Sequence, residues 1–160
     1  MLHIQVVCIG KIKEKFFQEA VLEYSKRLSR FCSLSILELP DEKIPDNASE
    51  KSCELIKEKE GKNILSHIKK DSYVIALDLK GREYSSVDFS KKLEKLSPIS
   101  NGSITFIIGG SLGISNEVLN FSNELICFSK MTFPHQLIRI FLLEQIYRAF
   151  KIYNNETYHK

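Results

Sequence analysis

An apolar run that ends in glycines constrains this chain more than any other stretch: Ile104-Thr-Phe-Ile-Ile108, followed by Gly109-Gly110-Ser-Leu-Gly113. No polar face interrupts Ile104 to Ile108, and most of its members are β-branched. It therefore reads as a central strand covered on both sides. Glycines placed directly after such a strand let the backbone take positive φ and approach another group with no Cβ in the way. In open α/β sheets ligands sit beyond the carboxyl ends of the strands, so this loop is the first place to look for a site. The same glycines would also serve a tight strand-to-helix turn with no ligand, and this stretch alone does not choose between the two.

The 160 residues are enough for one domain with a proper core, and 43% of them are apolar, as in a globular chain. No apolar run approaches the roughly 20 residues of a membrane span. The amino terminus, Met1-Leu-His-Ile-Gln-Val, enters strand-like alternation at once, with no leader pattern. Cys8, Cys32, Cys53 and Cys127 are scattered without a C-x-x-C pair, which suits reduced packing cysteines and a cytoplasmic location. The net charge is +3 and lies wholly in residues 129 to 160, where Lys130, Arg139, Arg148, Lys151 and Lys160 face Glu144 and Glu156. Such an end could meet an anionic partner, though a mild excess is usually a solvated face.

Periodicity divides the chain into five strands alternating with five helices. Strands are expected at residues 2–9, 33–39, 73–79, 104–108 and 125–128, and Lys80-Gly81-Arg82 reads as a turn. Helices are expected at 16–31, 49–69, from the Ser85-x-x-Asp88 capping box to about Leu96, from Ser115 through Leu119, and at 135–153. Gly61 weakens the second helix, and Pro98 with Asn101-Gly102 breaks the chain before the glycine-loop strand. The last helix is apolar around most of its circumference, from Leu137 to Ile152, so it must bury two faces. One face can meet the sheet and the other a second subunit, which predicts a homodimer. The fold class is α/β, a mostly parallel sheet of five or six strands with helices on both faces, forming a single domain over 1–160.

Several chemistries lack their motif. The glycine spacing is neither G-x-G-x-x-G nor a P-loop, and no G-x-S-x-G elbow is present. His3, His67, His135 and His159 show no metal-ligand spacing, so no metal is expected.

What remains is an ordered set: Ile75-Ala-Leu-Asp-Leu-Lys-Gly81, Phe106-Ile-Ile-Gly-Gly-Ser-Leu-Gly113, Phe128-Ser-Lys-Met-Thr-Phe-Pro-His135, Glu144-Gln-Ile-Tyr-Arg-Ala-Phe150 and Tyr158-His-Lys160. Over essentially its full length the chain resembles the RlmH family of SPOUT methyltransferases. That resemblance implies a deep C-terminal trefoil knot, an obligate homodimer, and S-adenosylmethionine as cofactor. It implies methylation of N3 of a pseudouridine in a stem-loop of large-subunit rRNA in the ribosome. Carried over by position, the cofactor site would take Leu77, Gly109, Phe128, Ser129, Lys130, Met131, Thr132 and Phe133. Arg148, Tyr158 and His159 match positions implicated in catalysis or RNA placement. His159 is a candidate base, and Arg148 a cation that would favour the N3 anion. Arg148 could instead simply pair with Glu144 at an i, i+4 step. Two other readings stay open on the residues: a related enzyme acting on another RNA such as tRNA, or a nonenzymatic ribosome-binding or assembly factor.

Overall fold

A computed structural model describes all 160 residues. The chain runs β1 (Leu2–Ile9), α1 (Lys15–Leu28), β2 (Cys32–Leu39), α2 (Glu50–His67), β3 (Tyr73–Glu83), α3 (Ser86–Ile99), β4 (Ser103–Ile108), α4 (Asn116–Phe121), β5 (Glu124–Cys127) and α5 (His135–Tyr153). The strands form one five-stranded sheet in the order β2-β1-β4-β3-β5, and every neighbouring pair is parallel. The glycine-loop strand β4 thus lies at the centre, with all six of its residues buried.

Two-residue alternation sends each strand into both layers of the core. On one face Ile4, Val6, Cys8, Ile75, Ile104 and Phe106 join Leu142, Leu143 and Ile146 of α5 and Phe89, Leu93 and Leu96 of α3. On the other, Val7, Ile9, Val74, Ala76 and Ile107 meet Ile64 of α2 and Val118 of α4. The serines read as caps are caps: Ser85 Oγ accepts from Asp88 N at 3.1 Å, and Ser115 Oγ accepts from Val118 N at 3.4 Å.

Three expectations need correction. Lys80-Gly81-Arg82 is not a turn, because β3 continues to Glu83 and re-pairs with β5 after an irregularity between Leu77 and Arg82. Pro98 lies inside the last turn of α3 instead of ending it early. The second apolar face of α5 is met in part within the same chain, by α1, α3 and Phe31, while Leu137, Ile140 and Phe141 stay partly exposed. Ile146 is fully buried, and Phe150 stacks on Phe31 with centroids 5.4 Å apart. The periodicity was right about two buried faces, but a helix in this layer has helical neighbours as well as the sheet.

Gly61 has a packing reason. A Cβ there would sit 2.2 Å from Ser115 Oγ and 3.2 Å from Val118 Cγ2, so α2 passes directly against the cap of α4. Helix propensity alone says that Gly61→Ala should stabilise by about 1 kcal/mol. The expected outcome is the opposite sign, a net loss of about 1–2 kcal/mol in urea denaturation, as overpacking costs.

Candidate active site

Three strands come together here: β4 ends at Ile108 beside Leu77 of β3, where their pairing stops, and β5 ends at Cys127. Beyond them lies a cleft of about 500 Å³, within the range of small-molecule sites. Its 20 lining residues, 11 of them hydrophobic, come from the end of β3, the glycine loop, the segment after β5 and the first turn of α5. The carboxyl end of a parallel sheet is where helices and loops part, so the cleft is a consequence of topology.

Seven of the eight residues carried over as cofactor contacts line this one cleft: Leu77, Gly109, Phe128, Ser129, Met131, Thr132 and Phe133. The eighth, Lys130, is exposed and its side chain does not line it. Ser129 braces its own segment, its Oγ accepting from Met131 N at 3.0 Å. Phe133 is held edge-on by Phe141, with ring centroids 5.5 Å apart. Gly109 is glycine for the sake of the loop itself: a Cβ would lie 2.7 Å from Ile114 Cγ1 and 2.9 Å from Gly113 O. The loop closes on its own start, with Gly113 N donating to Gly110 O at 3.0 Å.

Several further lining residues carry no motif that marks them in the sequence, among them Asp78, Leu79, Lys80, His135 and Ile138. Burial, and then the positive charge of Arg139, hold the His135 imidazole below its ordinary pKa. It therefore faces the cleft as a neutral ring near pH 7.

Arg148, Tyr158 and His159 are also brought together, but elsewhere. None of them lines the cleft. Arg148 lies some ten residues along α5 from Ile138, about 15 Å at the helical rise. Their organiser is Glu144, which the sequence reading considered only as a competing partner. Arg148 donates to Glu144 Oε1 through Nη2 at 2.6 Å and Nε at 3.1 Å, and the Tyr158 hydroxyl donates to the same oxygen at 3.1 Å. The guanidinium lies 4.6 Å from the Tyr158 ring centre, and its Nη1 is 3.3 Å from His159 Nδ1. Tyr147 meets Tyr158 edge-on at 5.0 Å. Burial and the Glu144 carboxylate push the Tyr158 hydroxyl up to about 12, so it stays a donor at neutral pH. The i, i+4 spacing of Glu144 and Arg148 was the visible signal, and pairing and placement turn out to be one arrangement.

The basic C-terminal fifth is largely neutralised within the chain. Arg139 is 2% exposed and pairs with Glu38 at 2.7 Å, Arg148 pairs with Glu144, and Lys151 with Glu156. Only Lys130 and Lys160 of that group form no ion pair. No cluster of three or more His, Cys, Asp or Glu side chains is placed to hold a metal ion, and no helix is long and apolar enough to cross a membrane.

A parallel sheet with a part-apolar cleft off its central strands defines an α/β protein with a cavity of small-molecule size at the usual place for one. The family model of the predicted SPOUT methyltransferases matches residues 2–159, and the chain belongs to that family. It is 60% identical over 159 residues to ribosomal RNA large subunit methyltransferase H of Clostridium perfringens, a match spanning 99% of this chain and 100% of that protein. Proteins of the same name from Clostridium botulinum and Clostridium tetani are each 57% identical over the same shares of both chains. The structure of a probable methylase family protein from Haemophilus influenzae shares the fold, with a TM-score of 0.55 at 14% identity, covering 98% of this chain and 70% of that one.

The Glu144 cluster makes a direct prediction about the tail. Glu144→Ala removes the acceptor shared by Arg148 and Tyr158, a partly exposed arrangement worth about 1 kcal/mol. Amide hydrogen exchange should rise in residues 154–160 while the strands keep their protection. Unchanged tail protection would show that Glu144 does not anchor it.

Proposed function

We propose that this chain is an S-adenosylmethionine-dependent methyltransferase acting on N3 of a pseudouridine in a stem-loop of large-subunit rRNA in the ribosome. The observation that carries the reading is full-length similarity to proteins named ribosomal RNA large subunit methyltransferase H. The cleft supports it. Leu77, Phe128, Phe133 and Ile138 offer apolar walls suited to a ring system, and Ser129, Thr132 and the backbone of residues 128–133 offer polar groups for its edges. S-adenosylmethionine, when bound, supplies an activated methyl group. The deep C-terminal knot and the homodimer of the family are part of the same proposal.

The chain's own residues then have three tasks. The strand-end cleft fixes one reactant, and correct placement alone accounts for much of the acceleration of such a transfer. The Arg148 guanidinium stabilises negative charge at the target N3 as its proton leaves. In this reading His159 takes that proton once its Nδ1 is released from Arg148 Nη1, and Tyr158, held protonated, orients Arg148 and the tail. Cleft and tail cluster lie apart within one chain, so we assign the tail to the cleft of the partner subunit. The four cysteines are free, in keeping with a cytoplasmic enzyme.

The activity is tested by mass mapping of rRNA from cells lacking this protein, followed by treatment of their ribosomes with the purified chain. One large-subunit methyl mark should vanish and then be restored. If no mark is lost and calorimetry finds no S-adenosylmethionine binding, the chain is a ribosome-binding factor; a mark lost from tRNA would instead reassign the substrate. Deleting residues 158–160 should leave cofactor affinity unchanged and lower methyl transfer at least tenfold, about 1.4 kcal/mol of transition-state stabilisation. Full activity of the truncated protein would remove the tail from the mechanism.

A further inference from the structure

Strand β3 outruns its central neighbour. Its pairing with β4 ends at Leu77 opposite Ile108, yet it continues to Glu83. Leu77 and Arg82 both pair with Ile126 of β5, so residues 78–81 form a bulge without register partners, its Gly81 end pressed against the backbone of Leu125 and Ile126, where a Cβ would lie 2.5 Å from Ile126 C. The bulge is braced internally, Asp78 Oδ1 accepting from Lys80 N at 2.9 Å. Asp78, Leu79 and Lys80 all line the cleft.

The exposed chemistry of this rim is unusual. Leu79 is 60% exposed, and Met131, which lines the same cleft, is 73% exposed. Single exposed apolar side chains need no explanation, but two on the rim of one cleft mark a surface that meets something. Lys80 and Arg82 on the bulged strand, and Lys130 beside Met131, are exposed and form no ion pair. The C-terminal cations are mostly paired within the chain, whereas Lys80 lines the cleft and Lys130 adjoins it; Asp78 and Glu83 balance Lys80 and Arg82 in formal charge, so these cations count by their position at the rim and not by a net excess. Apolar surface beside free cations complements unpaired bases on a phosphate backbone, as in recognition of RNA loops.

We infer that the Asp78–Gly81 bulge is the rim that seats RNA at the cleft, with Lys80 and Arg82 meeting phosphates that flank the target nucleotide and Leu79 packing against an adjacent unstacked base. This rests on the rRNA methyltransferase reading and adds to it the element that delivers the substrate. The rim is held by Gly81 packed on the β5 backbone and by the pairing of Arg82 and Glu83 with Ile126 and Cys127, more firmly than on a free loop.

The test compares Lys80→Glu/Arg82→Gln with a control of equal charge change, Lys69→Glu/Lys70→Gln, in the exposed segment before β3 at the opposite end of the strand. Each is assayed on purified ribosomes and on an rRNA stem-loop, for methyl transfer and for RNA binding across a salt series. The rim variant should raise KM at least tenfold with kcat within threefold of wild type. It should also lower the log–log salt slope of RNA binding by about two. The control should match wild type, and calorimetric affinity for S-adenosylmethionine should stay within threefold. Leu79→Ser should raise KM without changing the salt slope, because it removes no phosphate contact. Unchanged KM and salt slope in the rim variant would overturn the inference. So would loss of self-association in sedimentation, which would make the rim a subunit contact, or a drop in cofactor affinity matching the loss of activity. A wild-type chain that binds the stem-loop but transfers no methyl group to ribosomes or to the stem-loop would defeat the methyltransferase reading, while the rim would still be decided by the binding arm.

Discussion

The buried guanidinium of Arg139 is the interaction on which the placement of the rest depends. It is 2% exposed and donates to Glu38 at 2.7 Å and to the carbonyls of Ile9 and Gly10 at 2.9 and 2.7 Å. Glu38 in turn accepts from Ile12 N at 2.8 Å. One side chain from the first turns of α5 thereby ties that helix to the carboxyl ends of β1 and β2. A buried charge is tolerable only with such partners, and removing one of them strands the others in a dry interior. The pairing also fixes where α5 begins, and its first turn puts His135 and Ile138 into the cleft.

From that anchor α5 connects two pieces of chemistry. Its start closes one side of the cleft, its middle fills the larger core with Leu142, Leu143 and Ile146, and its second half presents Glu144 and Arg148 to the tail. A rigid helix holds two sites at a constant separation. Within one chain that separation keeps Arg148 out of the cleft, and a twofold arrangement is the economical way to bring the two kinds of group together.

Much of the fold was legible in the residues because each local signal agreed with the global one. The unbroken apolar run of β4 marked the sheet centre, serine caps marked the starts of α3 and α4, and α5 runs over the residues its periodicity predicts. The residues of the cleft were legible through family resemblance, since Leu77, Gly109 and the 128–133 run are adjacent only after folding. What escaped the reading depends on contacts distant in sequence. Arg139 looks like surface charge until Glu38, about a hundred residues away, is placed beside it. Lys80-Gly81-Arg82 has the composition of a turn, and only the renewed pairing of Arg82 and Glu83 with β5 shows that the strand runs on past it. Glu144 was visible as a spacing, but its second ligand, Tyr158, comes from a tail with no periodicity to place it.

The central claim is that cleft and tail are halves of one site contributed by different subunits. Mixing a subunit lacking residues 158–160 with one whose cleft is filled by Thr132→Trp tests it directly, with methyl transfer to ribosomes as the readout. In the mixed dimer, action across subunits leaves one intact cleft facing one intact tail. Equal mixing of two inactive proteins should then restore about a quarter of wild-type activity, as random twofold assembly dictates. If the mixture is as inactive as its components while sedimentation shows that subunits have exchanged, cleft and tail work within one chain and the account is wrong.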